Sequence, residues 1–113
     1  MEARYTNAKL GIDEVARRLE AWLRQYGYDT RYYLSGGWRV IEVSRGSALW
    51  KGAIRVYLYP QNTDIYVKVD TGSEGTAFLK GGLIAMSRQK ELNQLAESII
   101  GAVGTISGGT RVQ

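Results

Sequence analysis

A chain of 113 residues, 44% apolar and 23% charged, has the size and balance of one domain with one core, residues 1–113. It has no Cys and no His, which excludes disulfides, thiol nucleophiles, zinc knuckles and the usual acid–base group of neutral-pH catalysis. Its net charge of +4 makes acidic partners plausible without choosing among them.

The N-terminal MEARYTNAKLGIDE is polar and carries acids, unlike a secretory signal. Residues 12 to 26 follow as an expected amphipathic helix. Ile12, Val15, Ala16, Leu19, Trp22, Leu23 and Tyr26 recur at spacings of three and four, Asp13 and Glu14 suit the first turn, and Gly27 supplies a stop. Arg17, Arg18 and Arg24 each follow an acid by four residues (Asp13, Glu14, Glu20), so they are expected in solvated pairs rather than a binding patch.

The period then becomes two. Tyr28 to Leu34, Trp38 to Ser44, Ala53 to Tyr59 and Asp64 to Val69 read as four strands rich in β-branched and aromatic residues. Ser35-Gly36-Gly37 is expected as a hairpin loop and Pro60-Gln61-Asn62-Thr63 as a turn, with Arg45 to Gly52 as a longer loop. Short links between consecutive strands argue for an antiparallel meander.

Asp70 to Ala77 reads as a flexible connection and Phe78 to Met86 as an apolar segment broken by Gly81 and Gly82. With Lys80 inside it, the most apolar window, 77–86, falls short of the roughly 18 to 20 residues that cross a bilayer, and a cytoplasmic protein is expected. Arg88 to Val103 forms a second helix with Ser87 as N-cap; Leu92, Leu95, Ala96, Ile99 and Val103 share its apolar face. The ordered core is expected over about residues 9–103, with 104–113 a mobile tail. The fold class is therefore α+β: a four-stranded antiparallel meander with both helices on one face.

Charge and aromatic residues concentrate between Arg31 and Lys68. Arg31, Arg39, Arg45, Lys51, Arg55 and Lys68 stand there against Glu42 and Asp64, a surplus equal to the net charge of the whole chain. Seven of the twelve aromatics lie there too. Alternation puts Ile41, Val43, Ile54, Val56, Leu58, Ile65, Val67 and Val69 under the helices. It puts Trp38, Val40, Arg55, Tyr57, Tyr59, Tyr66 and Lys68 on the opposite face, joined by Arg31 and Tyr33 if Tyr32 and Leu34 point inward.

Cations among rings are what a platform for single-stranded nucleic acid requires. In that reading Arg31, Lys51, Arg55 and Lys68 contact phosphates, Tyr33, Trp38, Tyr57, Tyr59 and Tyr66 offer rings to bases, and Trp50 closes from its loop. The same composition suits a homodimer or protein interface, and rings beside cations also occur on solvated sheets for stability alone.

Catalytic signals are weak. Asp70 and Glu74 could share a cation but bring too few oxygens, and Glu42 is better placed to order Arg55 than to transfer protons. Neither Gly72-Ser73-Glu74-Gly75 nor Lys80-Gly81-Gly82 fits a phosphate-loop fingerprint. No enzyme activity, cofactor or metal is expected.

The order helix, four strands, helix, with aromatic and basic residues on the strands, resembles the single-stranded DNA-binding proteins of thermophilic crenarchaea that replace the OB-fold with an antiparallel sheet and helices. It is also similar to uncharacterised small bacterial modules. In those a hairpin carrying Trp-Lys, here Trp50-Lys51, precedes two strands, a glycine-bearing apolar segment and a helix opened by residues like Arg88-Gln89-Lys90. Both resemblances cover residues 12–103 as a layout. The first implies strand binding in a basic, aromatic cleft.

Overall fold

A computed structural model of the chain describes residues 1–45, 54–71 and 82–112, with 82–89 described by backbone alone. Its elements in chain order are β1 (Glu2–Thr6), α1 (Ile12–Gln25), β2 (Asp29–Ser35), β3 (Trp38–Ser44), β4 (Ile54–Gln61), β5 (Asp64–Asp70), α2 (Gly82–Ser107) and β6 (Thr110–Arg111). The strands form one antiparallel sheet in the order β2-β3-β4-β5-β1-β6. The class is the expected α+β, but the sheet has six strands where four are expected.

The four expected strands form the β2-to-β5 meander. Its turns are tighter than their sequences suggest. Gly36 and Gly37, at φ 54° and 86°, make a two-residue link that lets Ser35 pair with Trp38. Pro60 and Gln61 belong to β4, leaving Asn62-Thr63 as the turn, with Asn62 at φ 59°. Pro60 is tolerated there because the ladder with β3 ends at Leu58, so no N–H is needed on that side.

The inward residues of β3, β4 and β5 meet α1 and α2. Ile41, Val43, Ile54, Val56, Leu58, Ile65, Val67 and Val69 are all at most 3% exposed. They pack with Val15, Ala16, Leu19 and Leu23 of α1 and with Leu92, Ala96, Ile99, Ile100 and Val103 of α2. Alternate aliphatic residues on the strands and a 3.6-residue apolar stripe on each helix thus converge on one core.

The charged contacts of α1 keep the expected i,i+4 pairs of Arg18 with Glu14 and Arg24 with Glu20, but Arg17 turns to Glu14 instead of Asp13. Glu14 takes both Arg17 and Arg18, and the Arg17 hydrogen bond, then the charges of both arginines, hold its carboxyl below the usual carboxylate range. That leaves Asp13 for Arg39, whose Nε donates to Oδ1 at 3.1 Å, and for the Tyr32 hydroxyl at 3.4 Å. Arg24 does pair with Glu20, at 3.3 Å, and Thr30 of β2 also donates to Glu20 at 2.8 Å.

The chain ends are not loose. β1 sits between β5 and β6, with Ala3 and Tyr5 facing the core at 1% and 5% exposure. α2 begins at Gly82, ahead of the expected cap at Ser87, and runs to Ser107. Gly108, at φ 71°, closes it by donating to the Gly104 carbonyl at 3.1 Å. Thr110 and Arg111 then pair with β1, and Val112 donates to the Arg4 carbonyl at 2.9 Å. The expected mobile tail from 104 is therefore part of the fold through Val112.

Tyr5 fixes this closure. Its hydroxyl donates to the Ile100 carbonyl at 2.7 Å, and its ring lies so close to Gly104 that a Cβ there would come within 2.6 Å of Cε1. Gly101, one helical position after Ile100, has open space around it. Gly101→Ala is expected to stabilise the protein by up to about 1 kcal/mol through helix propensity. Gly104→Ala is expected to destabilise it by about 1–3 kcal/mol, because the tethered ring cannot move aside. Urea denaturation of both variants checks the pair.

Candidate functional site

Register places one set of side chains on the face that no described helix covers. Glu2, Arg4, Asp29, Arg31, Tyr33, Ser35, Trp38, Val40, Glu42, Ser44, Arg55, Tyr57, Tyr59, Gln61, Asp64, Tyr66, Lys68 and Asp70 share it, since each pairs across strands with another of the set. Eight of the ten expected site residues lie here: Arg31, Tyr33, Trp38, Arg55, Tyr57, Tyr59, Tyr66 and Lys68. Trp50 and Lys51 lie outside the described residues. Arg4 and Glu2 join from β1, a strand whose only inward signals, Ala3 and Tyr5, are too few to read from sequence.

The rings form a cluster centred on Trp38. Its centroid is 5.0 Å from Tyr59, 5.9 Å from Tyr66 and 6.0 Å from Tyr57, the last two near edge-to-face. Val40 lies two residues along the same strand, paired in register with Tyr33 and Tyr57. It is fully buried, yet it does not belong to the helix-side core. The rings thus give the open face a thin apolar layer of its own. Trp38, Tyr33, Tyr57, Tyr59 and Tyr66 all remain half-buried, with ring surface still accessible.

The charges on this face alternate. In one cross-strand row Arg31, Glu42, Arg55 and Asp70 follow one another. Glu42 lies 4.0 Å from Arg31 and 3.4 Å from Arg55, and the hydrogen bond from Arg55 to Glu42 raises the arginine's pKa further. Arg4 is 3.7 Å from Asp64, and Lys68 stands in register with Glu2. Among the described residues, four cations (Arg4, Arg31, Arg55, Lys68) share the sheet face with five carboxylates (Glu2, Asp29, Glu42, Asp64, Asp70).

Among the described residues the positive surplus between Arg31 and Lys68 therefore does not collect here. Arg39 is on the helix side against Asp13, and the Arg45 guanidinium lies 5.3 Å from the centre of the Tyr28 ring. Sequence order concentrates these cations, whereas strand parity and α1 separate them.

Among the described residues no three Asp or Glu side chains converge as a metal site, and Glu74 lies outside them. No helix among them is long and apolar enough to cross a membrane. Comparison of the chain with protein-family models, curated proteins and solved structures gives no match.

Two measurements probe this face. Trp38→Ala is expected to cost about 1–3 kcal/mol, less than a fully buried Trp, because the indole is only half covered. Equilibrium denaturation reads that cost. Tyr66 hydrogen-bonds Glu2, and this bond, with burial and the carboxylate charge, raises its pKa above the ordinary tyrosine value. Its small contribution to stability is fully present below the ordinary tyrosine pKa and is lost as pH rises through the raised one. An alkaline absorbance titration should show two late tyrosines, Tyr66 and Tyr32, the latter raised by burial and the Asp13 charge, and Glu2→Gln should move only one of them towards the ordinary range.

Proposed function

We propose that this protein is a non-catalytic recognition module that holds a macromolecular partner on its open sheet face. The observation that carries the reading is the ring cluster around Trp38. It provides a half-covered aromatic surface on a face that no described helix covers, held rigid by a six-stranded sheet. Rigid aromatic side chains supply contact area at low entropic cost, and Tyr, Trp and Arg dominate the energetically important positions of interfaces.

A protein partner suits the charges better than a nucleic acid does. A phosphate chain crossing the row from Arg31 to Asp70 would meet Glu42 and Asp70 as well as the arginines. A protein surface can match alternating signs, and such matching sets register and specificity. Single-stranded nucleic acid keeps one observation in its favour: Arg31 and Lys68 are exposed at the two ends of the Tyr33 and Tyr57 positions, where phosphates would flank stacked bases.

A photoreactive benzoylphenylalanine in place of Tyr57, activated in living cells of the protein's own host, tests the assignment. The expected product is a discrete adduct that resists nuclease, is destroyed by protease and is lost in the Trp38→Ala background. A nuclease-sensitive adduct would transfer the face to nucleic acid. No adduct beyond that of a probe at exposed Glu97 on α2 would remove the binding role.

A further inference from the structure

The outer edge of β2 is a second surface with the features of an interface. β2 ends the sheet, and its seven residues pair with β3 without interruption from Asp29 to Ser35. Alternate residues of such a strand turn their N–H and C=O groups away from the neighbour, where they can receive another strand. No described residue pairs with that edge. The opposite edge, β6, is only two residues long.

Natural sheets protect an edge with charged side chains, proline, a bulge or a very short strand. β2 has only the charges of Asp29 and Arg31, both on the open face, and neither proline, lysine nor a bulge. It also exposes apolar side chains on the helix side: Leu34 is 66% exposed and Tyr32 37%. α1 holds the Tyr32 hydroxyl through Asp13 but leaves Leu34 bare.

We propose that the β2 edge is the seam of a homodimer, in which two copies pair antiparallel about Tyr33 and join their sheets into one. The strand is self-complementary in that register. Tyr33 faces Tyr33 of the partner subunit on the open face. Tyr32 faces Leu34 of the partner subunit on the helix side, twice by symmetry, so the exposed apolar residues cover each other. Arg31 faces Ser35 of the partner subunit and lies diagonal to the partner's Tyr33, within reach of a cation–π contact.

Charge and burial select this register. An axis at Arg31 would set two guanidinium groups opposite each other, and an axis at Tyr32 would set Leu34 against Thr30. In the Tyr33 register Thr30 and Asp29 meet the partner's glycine tip, Gly36 and Gly37, which presents no side chains. The two open faces also become one continuous surface, so the seam serves the proposed recognition face without depending on it.

The absence of cysteine makes the register directly testable in the full chain. Facing residues of an antiparallel pair have Cβ atoms about 4.5–5.5 Å apart, close to disulfide range. Under mild oxidation Tyr33→Cys should cross-link into a covalent dimer, whereas Ser35→Cys, facing Arg31, should not. In sedimentation over roughly 10–500 µM the unmodified chain should dimerise, Leu34→Lys should weaken the dimer about tenfold or more, and Glu97→Lys should leave it unchanged. A chain that stays monomeric, a dimer indifferent to Leu34→Lys, or equal cross-linking at positions 33 and 35 would each overturn the proposal.

Discussion

Both helices lie on one face of the sheet, and that one-sided cover governs the rest of the molecule. On the helix side it allows aliphatic residues to repeat at every second position of β3, β4 and β5 and to be sealed almost completely. On the other side no described helix buries Val40. Burying a valine contributes roughly 1.5–3 kcal/mol, so the surrounding rings have a stabilising role before any partner arrives. Trp38 sits at the centre of that layer because it touches rings from both β4 and β5. The same rings remain partly open to solvent, so the residues that stabilise the sheet are also those of the proposed recognition surface.

Much of the central architecture is legible in the sequence because those strands contrast sharply from one position to the next. In β4, Ile54, Val56 and Leu58 alternate with Arg55, Tyr57 and Tyr59, and no helical period fits that run. β1 lacks this contrast: only Ala3 and Tyr5 face inward, and tyrosine reads equally well on an outer face. β6 is two residues long and exists only because β1 is there to pair with it. The C-terminal extension of α2 is hidden for a similar reason. Gly101, Gly104 and Gly108 suggest a frayed end, but Gly104 admits the ring of Tyr5, about a hundred positions earlier in the chain. Helix propensity cannot register a contact of that range.

Charge was the less reliable guide, again for a physical reason. Counting cations between Arg31 and Lys68 treats neighbours in sequence as neighbours in space. Strand parity sends Arg39 to the helix side, where Asp13 meets it, and brings Glu42 between Arg31 and Arg55. Asp13 is free for this role because Glu14 accepts both Arg17 and Arg18. Ring positions, by contrast, follow parity alone, so the aromatic part of the surface was readable and its electrostatic character was not. The result is a surface of mixed sign, better suited to matching another patterned surface than to following a uniformly charged backbone.

That conclusion is most directly tested by fluorescence anisotropy of labelled single-stranded oligonucleotides titrated with the full chain at about 50 and 200 mM salt, the range over which several phosphate contacts would change affinity steeply. A face whose cations are outnumbered by interleaved carboxylates predicts no saturable binding at either concentration. Saturable binding at the lower salt that collapses at the higher, and that Arg31→Gln weakens, would contradict the charge-matched account and make the ring cluster a base-stacking platform.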